Sequence, residues 1–177
     1  MYREEHTWLV IQTYFKHELD VGAFLKEKGI NYFIPMGYKE KTQADGKTKR
    51  ILAPIIHNYV FVENKMPVRE FKKMLAECYI PLHLLRNKGS EQPCEISNRE
   101  MFEFRMLCDP QFDSQPSIEI GTDVSVGKEV EVVHGHFAGI RGRLVRKQKQ
   151  YWFVKTVVGI SVVLRITRWF CKPVKSQ

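Results

Sequence analysis

The stretch TWLVIQTYFKHELDVGAFLKEKGINYFIP, residues 7–35, decides how the first part of the chain folds. Its opening, TWLVIQTY, is almost entirely β-branched, aromatic or apolar, which suits a strand buried on both faces better than a half-exposed one. Between Glu18 and Lys28 the apolar Val21, Phe24 and Leu25 fall at helical spacing among charged neighbours, and Gly29 follows as a stop signal. INYFIPMGYKE then reads as a second strand. Asp45-Gly46 within KTQADGKTKR marks a hairpin tip leading into RILAPIIHNYVFVE.

Working outward, a second helix is expected to begin near Pro67, with Val68, Phe71, Met74, Leu75 and Cys78 along one face. PLHLLR supplies a short strand. Ser97 with Glu100 three residues later forms a capping box, placing a third helix at about 98–108 with Met101, Phe104 and Cys108 on one side. The order β-α-β-β-β-α-β-α indicates an α+β class with a largely antiparallel sheet. Residues 109–122, DPQFDSQPSIEIGT, hold two prolines and no base and read as a linker. Beyond them, apolar or alternating runs at 129–133, 140–145, 151–158, 160–166 and 168–171 predict five short strands of a small barrel. The expected domains are therefore 1–108 and 123–177, joined by 109–122.

With 177 residues, 44% hydrophobic and 27% charged, the chain is long and apolar enough for real cores. No run approaches the roughly 18–20 apolar residues of a membrane span. The start MYREEHTWLV is acidic and polar where a secretory signal is basic and then apolar, so a cytoplasmic location is expected. Cys78, Cys94, Cys108 and Cys171 are widely spaced without a CxxC pair, which suggests free thiols, not a zinc ribbon or disulfide framework. Positive charge is concentrated late: residues 1–108 carry 17 bases against 14 acids, and residues 123–177 carry 11 against three. Such a basic module suits a polyanionic neighbour, or simply keeps an exposed surface soluble.

The segment VEVVHGHFAGIRGRLVR, 130–146, is similar to the KOW motif, with Gly135, Phe137, Gly139 and Gly142 at the matching spacing. The glycines would allow positive φ at tight reversals and Phe137 would plug the barrel end. Residues 7–35 resemble the opening strand, helix and second strand of the NusG N-terminal domain. HNYVFVE, 57–63, resembles that domain's central Pro-Gly-Tyr-Val-Phe-Val strand. The resemblance spans essentially the whole chain and implies a NusG N-terminal-type α/β sandwich followed by an SH3-like KOW barrel. His57-Asn58 stands where general NusG proteins have Pro-Gly. An Asn before the Tyr looks more like specialised paralogues of the RfaH kind, including antiterminators of capsular or exopolysaccharide operons.

The resemblance implies a non-enzymatic elongation factor or antiterminator, monomeric and without a cofactor. An apolar patch of Ile56, Tyr59 and Phe61, with Trp8 and Tyr14 nearby, would dock on the clamp helices of the largest catalytic subunit of RNA polymerase. Aromatics in strands are more often core, a second reading that Trp8 carries most strongly and that Tyr59 and Phe61, placed at the interface by the resemblance, share. Lys41, Lys47, Lys49 and Arg50 on the hairpin would approach DNA, and Lys16 and His17 would face the non-template strand. A basic hairpin tip has the alternative reading of simple solubility. In the barrel, Arg141, Arg143, Arg146, Lys147 and Lys149 beside Tyr151 and Trp152 suit nascent RNA. The resemblance also implies protein partners there, a small-subunit ribosomal protein or a termination factor, with Val158 near the contact position. KTVVGISVVLRITRWF is rich in Val, Ile and Thr and favours strands over the helical hairpin that some relatives store.

Two other classes compete. Six histidines could serve an enzyme, and His134-x-His136 could place two ligands on one strand face. No third ligand is marked, however, and HExxH, GxSxG and Walker patterns are absent, so no catalytic or metal residue is assigned. A KOW-containing RNA- or ribosome-binding protein acting in translation would account for the basic barrel but not for the pattern of the first hundred or so residues.

Overall fold

The structure, a computed structural model, describes residues 6–112, 117–120 and 127–174. The chain divides into a first unit, Met1–Met101, and a second, Phe102–Gln177.

The first unit is built on β1 (Trp8–Thr13), which takes the centre of an antiparallel sheet. It is flanked on one edge by β5 (Tyr59–Glu63) and on the other by β6 (Leu82–Leu84) and β7 (Glu95–Ile96), while β2 (Tyr32–Phe33) extends the β5 side. Burial of Trp8, Leu9, Val10 and Ile11 realises the expectation of a doubly covered strand. On one face Leu9 and Ile11 stand opposite Val62 and Val60. There they join Val21 and Leu25 of α1 (Glu18–Glu27) and Phe71 and Leu75 of α2 (Val68–Leu75) in a single core cluster. On the other face Val10 stands opposite Phe61, whose ring centroid lies 6.3 Å from that of Phe33.

The expected second strand is broken. Pro35 cannot donate to a ladder, so β2 ends at Phe33 and a separate hairpin of β3 (Met36–Thr42) and β4 (Thr48–Pro54) follows. Its tip is as anticipated: Gly46 has φ +77°, and Asp45 Oδ1 accepts the Lys47 N–H at 3.1 Å. The capping box also forms, with Glu100 N–H donating to Ser97 Oγ and Ser97 N–H to Glu100 Oε2, both at 3.2 Å. It opens α3 (Asn98–Leu107), and the Trp8 indole N–H donates to Asn98 Oδ1 at its start.

The division between units falls inside α3, ahead of the stretch expected to link them. Part of that stretch, β8 (Ser117–Ile120), is a strand; residues 113–116 and 121–126 lie outside the described residues. The second unit is a six-stranded antiparallel sheet of KOW-like type. It contains β8, β9 (Lys128–Val132), β10 (Arg141–Lys147), β11 (Gln150–Val157), β12 (Ile160–Arg165) and β13 (Cys171–Pro173), in the order β13-β9-β10-β11-β12-β8. The run expected as a strand at 168–171 is instead a 3₁₀ turn, Arg168–Phe170, leading into β13. Within this unit the Lys155 ammonium meets the buried Glu103 carboxylate at 2.6 Å. All four cysteines are free, and burial pushes the Cys108 thiol up to about 12.

Candidate functional site

Antiparallel register brings four of the first unit's polar and aromatic side chains together. Tyr59 on β5, Gln12 on β1 and His83 on β6 are direct cross-strand partners, so they project from the same face of the sheet. Just beyond β1, Tyr14 continues the row: its hydroxyl lies 3.2 Å from His83 Nδ1 and the ring centroids are 5.8 Å apart. Tyr59 and Gln12 are half-buried, Tyr14 and His83 exposed. This is the accessible end of the face that Phe61 occupies.

The expected docking patch is corrected by these positions. Tyr59 and Phe61 do share a face, but Phe61 and Ile56 are 0% exposed and Trp8 only 6%. Trp8 therefore follows its core reading, and Ile56 and Phe61 present no surface. The reason is the central place of β5 between β2 and β1, which leaves Phe61 packed beside Phe33 and Val10. His83 and Gln12, which no sequence pattern marked, take part in the row instead.

Beside the row, the chain crosses from β1 to α1 through an unusual turn. Phe15 and Lys16 both have left-handed backbone, φ 57° and 61°, and Phe15 is 88% exposed. Asn58 holds this turn. Its own φ is 68°, a conformation that glycine adopts freely and asparagine tolerates better than other L residues. Its side-chain oxygen accepts the Lys16 N–H at 3.0 Å. Its backbone N–H donates to Glu18, whose 1%-exposed carboxylate also lies 3.1 Å from His57 Nδ1. Asn58 thus keeps a backbone that glycine adopts freely and adds a tether to the turn. Asn58→Gly is expected to change stability by less than about 1 kcal/mol, and Asn58→Ala to cost about 1–2 kcal/mol from left-handed strain and the lost bond. Urea unfolding of both variants measures the difference; equal losses would remove the conformational explanation.

On the hairpin, register separates the expected basic residues. Lys41 faces Lys49 directly, and Lys39 projects on that same side opposite Ile51. Arg50 lies on the other side, its guanidinium 4.3 Å from the Tyr38 ring centroid, and Lys47 sits at the tip 3.8 Å from Asp45. Lys39 was missed because it precedes the tip-centred cluster. Of the two residues expected near the non-template strand, Lys16 is exposed and His17 Nδ1 lies 2.8 Å from Asp20.

In the second unit, Gly135 and Gly139 have positive φ as expected, but Gly142 does not. A Cβ there would lie 2.5 Å from Phe153 Cζ and 2.6 Å from the Val154 carbonyl oxygen, so this glycine serves close approach. Phe137 is half-buried, 6.2 Å edge-on to Phe112. Arg141 is engaged with Glu131 at 2.8 Å, Arg143 is exposed, and Arg146 lies over the Tyr151 ring at 5.6 Å. Val158 is half-buried at the β11–β12 turn, with φ 50°. His134 and His136 lie beyond β9, not on a strand: His134 meets Phe170 edge-on and His136 stacks on Phe112. Among the described residues no group of three or more His, Cys, Asp or Glu could hold a metal ion, and no helix is long and apolar enough to cross a membrane.

Comparison with known proteins adds three findings. The model of a family described as transcription termination factor NusG matches residues 6–105. No curated protein sequence matches the chain. The solved structure of NusG from Thermotoga maritima, which concerns the interaction of its domains, is similar with a TM-score of 0.51 at 14% identity. The match covers 97% of this chain and 98% of that one, a likeness of fold.

Proposed function

From the premise that this chain belongs to the NusG family of transcription factors, we propose that it binds RNA polymerase through the Tyr59–Gln12–His83–Tyr14 row and acts during elongation without catalysis. The row carries this reading because it joins accessible aromatic rings to hydrogen-bonding groups on a rigid sheet, the composition of an interface anchor. The clamp helices of the largest catalytic subunit are the proposed docking element. Binding that favours the closed clamp over the paused arrangement would shift the population toward elongation. The hairpin face of Lys39, Lys41 and Lys49 is suited to DNA phosphate, with the salt dependence that such contacts bring. A specialised role on long operons, such as those for polysaccharide synthesis, is supported by Asn58, which keeps the left-handed backbone while fastening the exposed Phe15–Lys16 turn.

Tyr14→Ala combined with Tyr59→Ala is expected to reduce capture of purified core RNA polymerase by at least about tenfold while leaving the circular dichroism spectrum unchanged. Undiminished capture by the folded variant would remove the row from the interface. Parent protein that co-purifies with ribosomal subunits and not with polymerase would overturn the reading as a whole.

A further inference from the structure

We propose that the first unit takes up an extended acidic segment of a partner protein as an added strand, in the groove between α2 and β6. β6 is the last strand on its side of the sheet. Just beyond it, Leu85 N–H donates to the Val10 carbonyl at 2.8 Å. Backbone groups alternate in direction along an antiparallel strand, so His83 bonds to Gln12 while the N–H and carbonyl groups of Leu82 and Leu84 turn away from β1. Among the described residues those outward groups meet no backbone partner. They are a template for one more strand.

The space beside this edge is shaped to receive a chain. It is a groove of about 240 Å³, walled by Lys72, Leu75 and Ala76 at the end of α2 and by Leu82, Leu84 and Arg86 on the strand side. Leu75 and Leu84 belong to the core cluster and Leu82 packs against it, so the floor is apolar and fixed. His83 also borders the groove, but its ring meets Tyr14 on the opposite face of the sheet.

Charge narrows the class of occupant. None of the lining residues is an acid. Lys72 is exposed and has no acidic partner among the described residues, and Glu77 is taken by Lys28 at 2.5 Å. Arg86 rests on Glu91 at 2.5 Å, but that carboxylate is 86% exposed, and a surface pair of this kind exchanges readily for a ligand carboxylate. An apolar floor between two cations, beside a free strand edge, fits a segment whose groove-facing residues run acid, apolar, acid. Those are alternate residues of an extended chain. A second copy of this chain is disfavoured as occupant, because pairing β6 with β6 would bring each copy's Lys72 and Arg86 towards the other's. The groove lies on the α2 side of the sheet and the Tyr59–Gln12–His83–Tyr14 row on the other, so the inference does not rest on polymerase binding.

A fluorescein-labelled peptide, Ser-Glu-Thr-Val-Thr-Glu-Ser, added to the full chain tests it by fluorescence anisotropy and amide hydrogen exchange. Saturable binding is expected, with slower exchange at Leu82 and Leu84. N-methylating the valine in one peptide and both threonines in another removes alternate sets of amide protons. One form is expected to lose binding and the other to keep it, according to which set faces β6. Ala76 is exposed, so Ala76→Trp fills the groove without disturbing the core, which circular dichroism verifies, and is expected to weaken binding about tenfold or more. Lys72→Glu should weaken it about fivefold and improve binding of the peptide that carries lysines in place of its glutamates. Absence of saturable binding, unchanged exchange at Leu82 and Leu84, equal affinity of the two N-methylated peptides, or equal affinity of Ala76→Trp and parent would overturn the proposal. Protection of the same two amides by concentration-dependent dimerisation without peptide would overturn the assignment to a partner protein in favour of a second copy.

Discussion

Phe61→Ala is expected to lower the unfolding free energy of the first unit by about 3–5 kcal/mol, the usual range for removing a buried phenyl group. Phe61 is fully buried on the central pair of strands, opposite Val10 and beside Phe33. Neighbours held in a sheet ladder cannot collapse far into the space that the ring vacates, so transfer and cavity costs add. Against a total of about 5–15 kcal/mol for a typical domain, a loss of this size makes the unfolded population appreciable. Urea unfolding followed by circular dichroism gives the value, and Phe61→Leu should recover most of the loss. A change below about 1 kcal/mol for Phe61→Ala would contradict the packing described. A deficit in polymerase capture by this variant would therefore report folding, which is why the interface test uses Tyr14 and Tyr59.

Gly142→Ala should cost about 2–3 kcal/mol in the second unit, at the upper part of the range for overpacking. The added methyl would lie 2.5 Å from the ring of Phe153, itself 1% exposed, and 2.6 Å from the Val154 carbonyl oxygen. The ring has little free space to enter, and the carbonyl belongs to the β10–β11 ladder through the Arg143–Val154 pair. Relief requires moving one strand away from its partner. The expected observation is a lowered denaturant midpoint together with faster amide exchange in β10 and β11. Wild-type exchange in these strands would show that the methyl is accommodated.

Local signals and alternation made much of the fold legible in the sequence. The nearly continuous β-branched, aromatic and apolar run at Trp8–Thr13 announced a central strand, Ser97 and Glu100 announced the start of α3, and Asp45-Gly46 announced a hairpin tip. Where competing local signals met, the reading failed: the alternating Ser-Ile-Glu-Ile of β8 was outweighed by nearby prolines and small polar residues. The candidate site was legible only by face. Alternation correctly put Tyr59 and Phe61 on one side of β5, but it carries no information on depth, which depends on neighbouring strands and covering layers. Glu18, His57 and Asn58 meet only after the chain has formed α1 and the intervening hairpin, so no spacing rule reveals them. Likewise, His83 joins Tyr59 only through the register of two strand pairings.

The face-to-face pair Lys41 and Lys49 gives the hairpin a built-in mechanical response to its surroundings. Like charges directly opposite push their strands apart. A phosphate lodged between them would turn that repulsion into a shared attraction, so the arm would stiffen as it closed on its ligand. Dissolved salt would act on the same pair in two opposing senses, relaxing the free arm by screening while competing for the groups that grip. The arm's rigidity would then vary with the ionic composition around it, linking the shape of the hairpin to its occupancy through one pair of lysines.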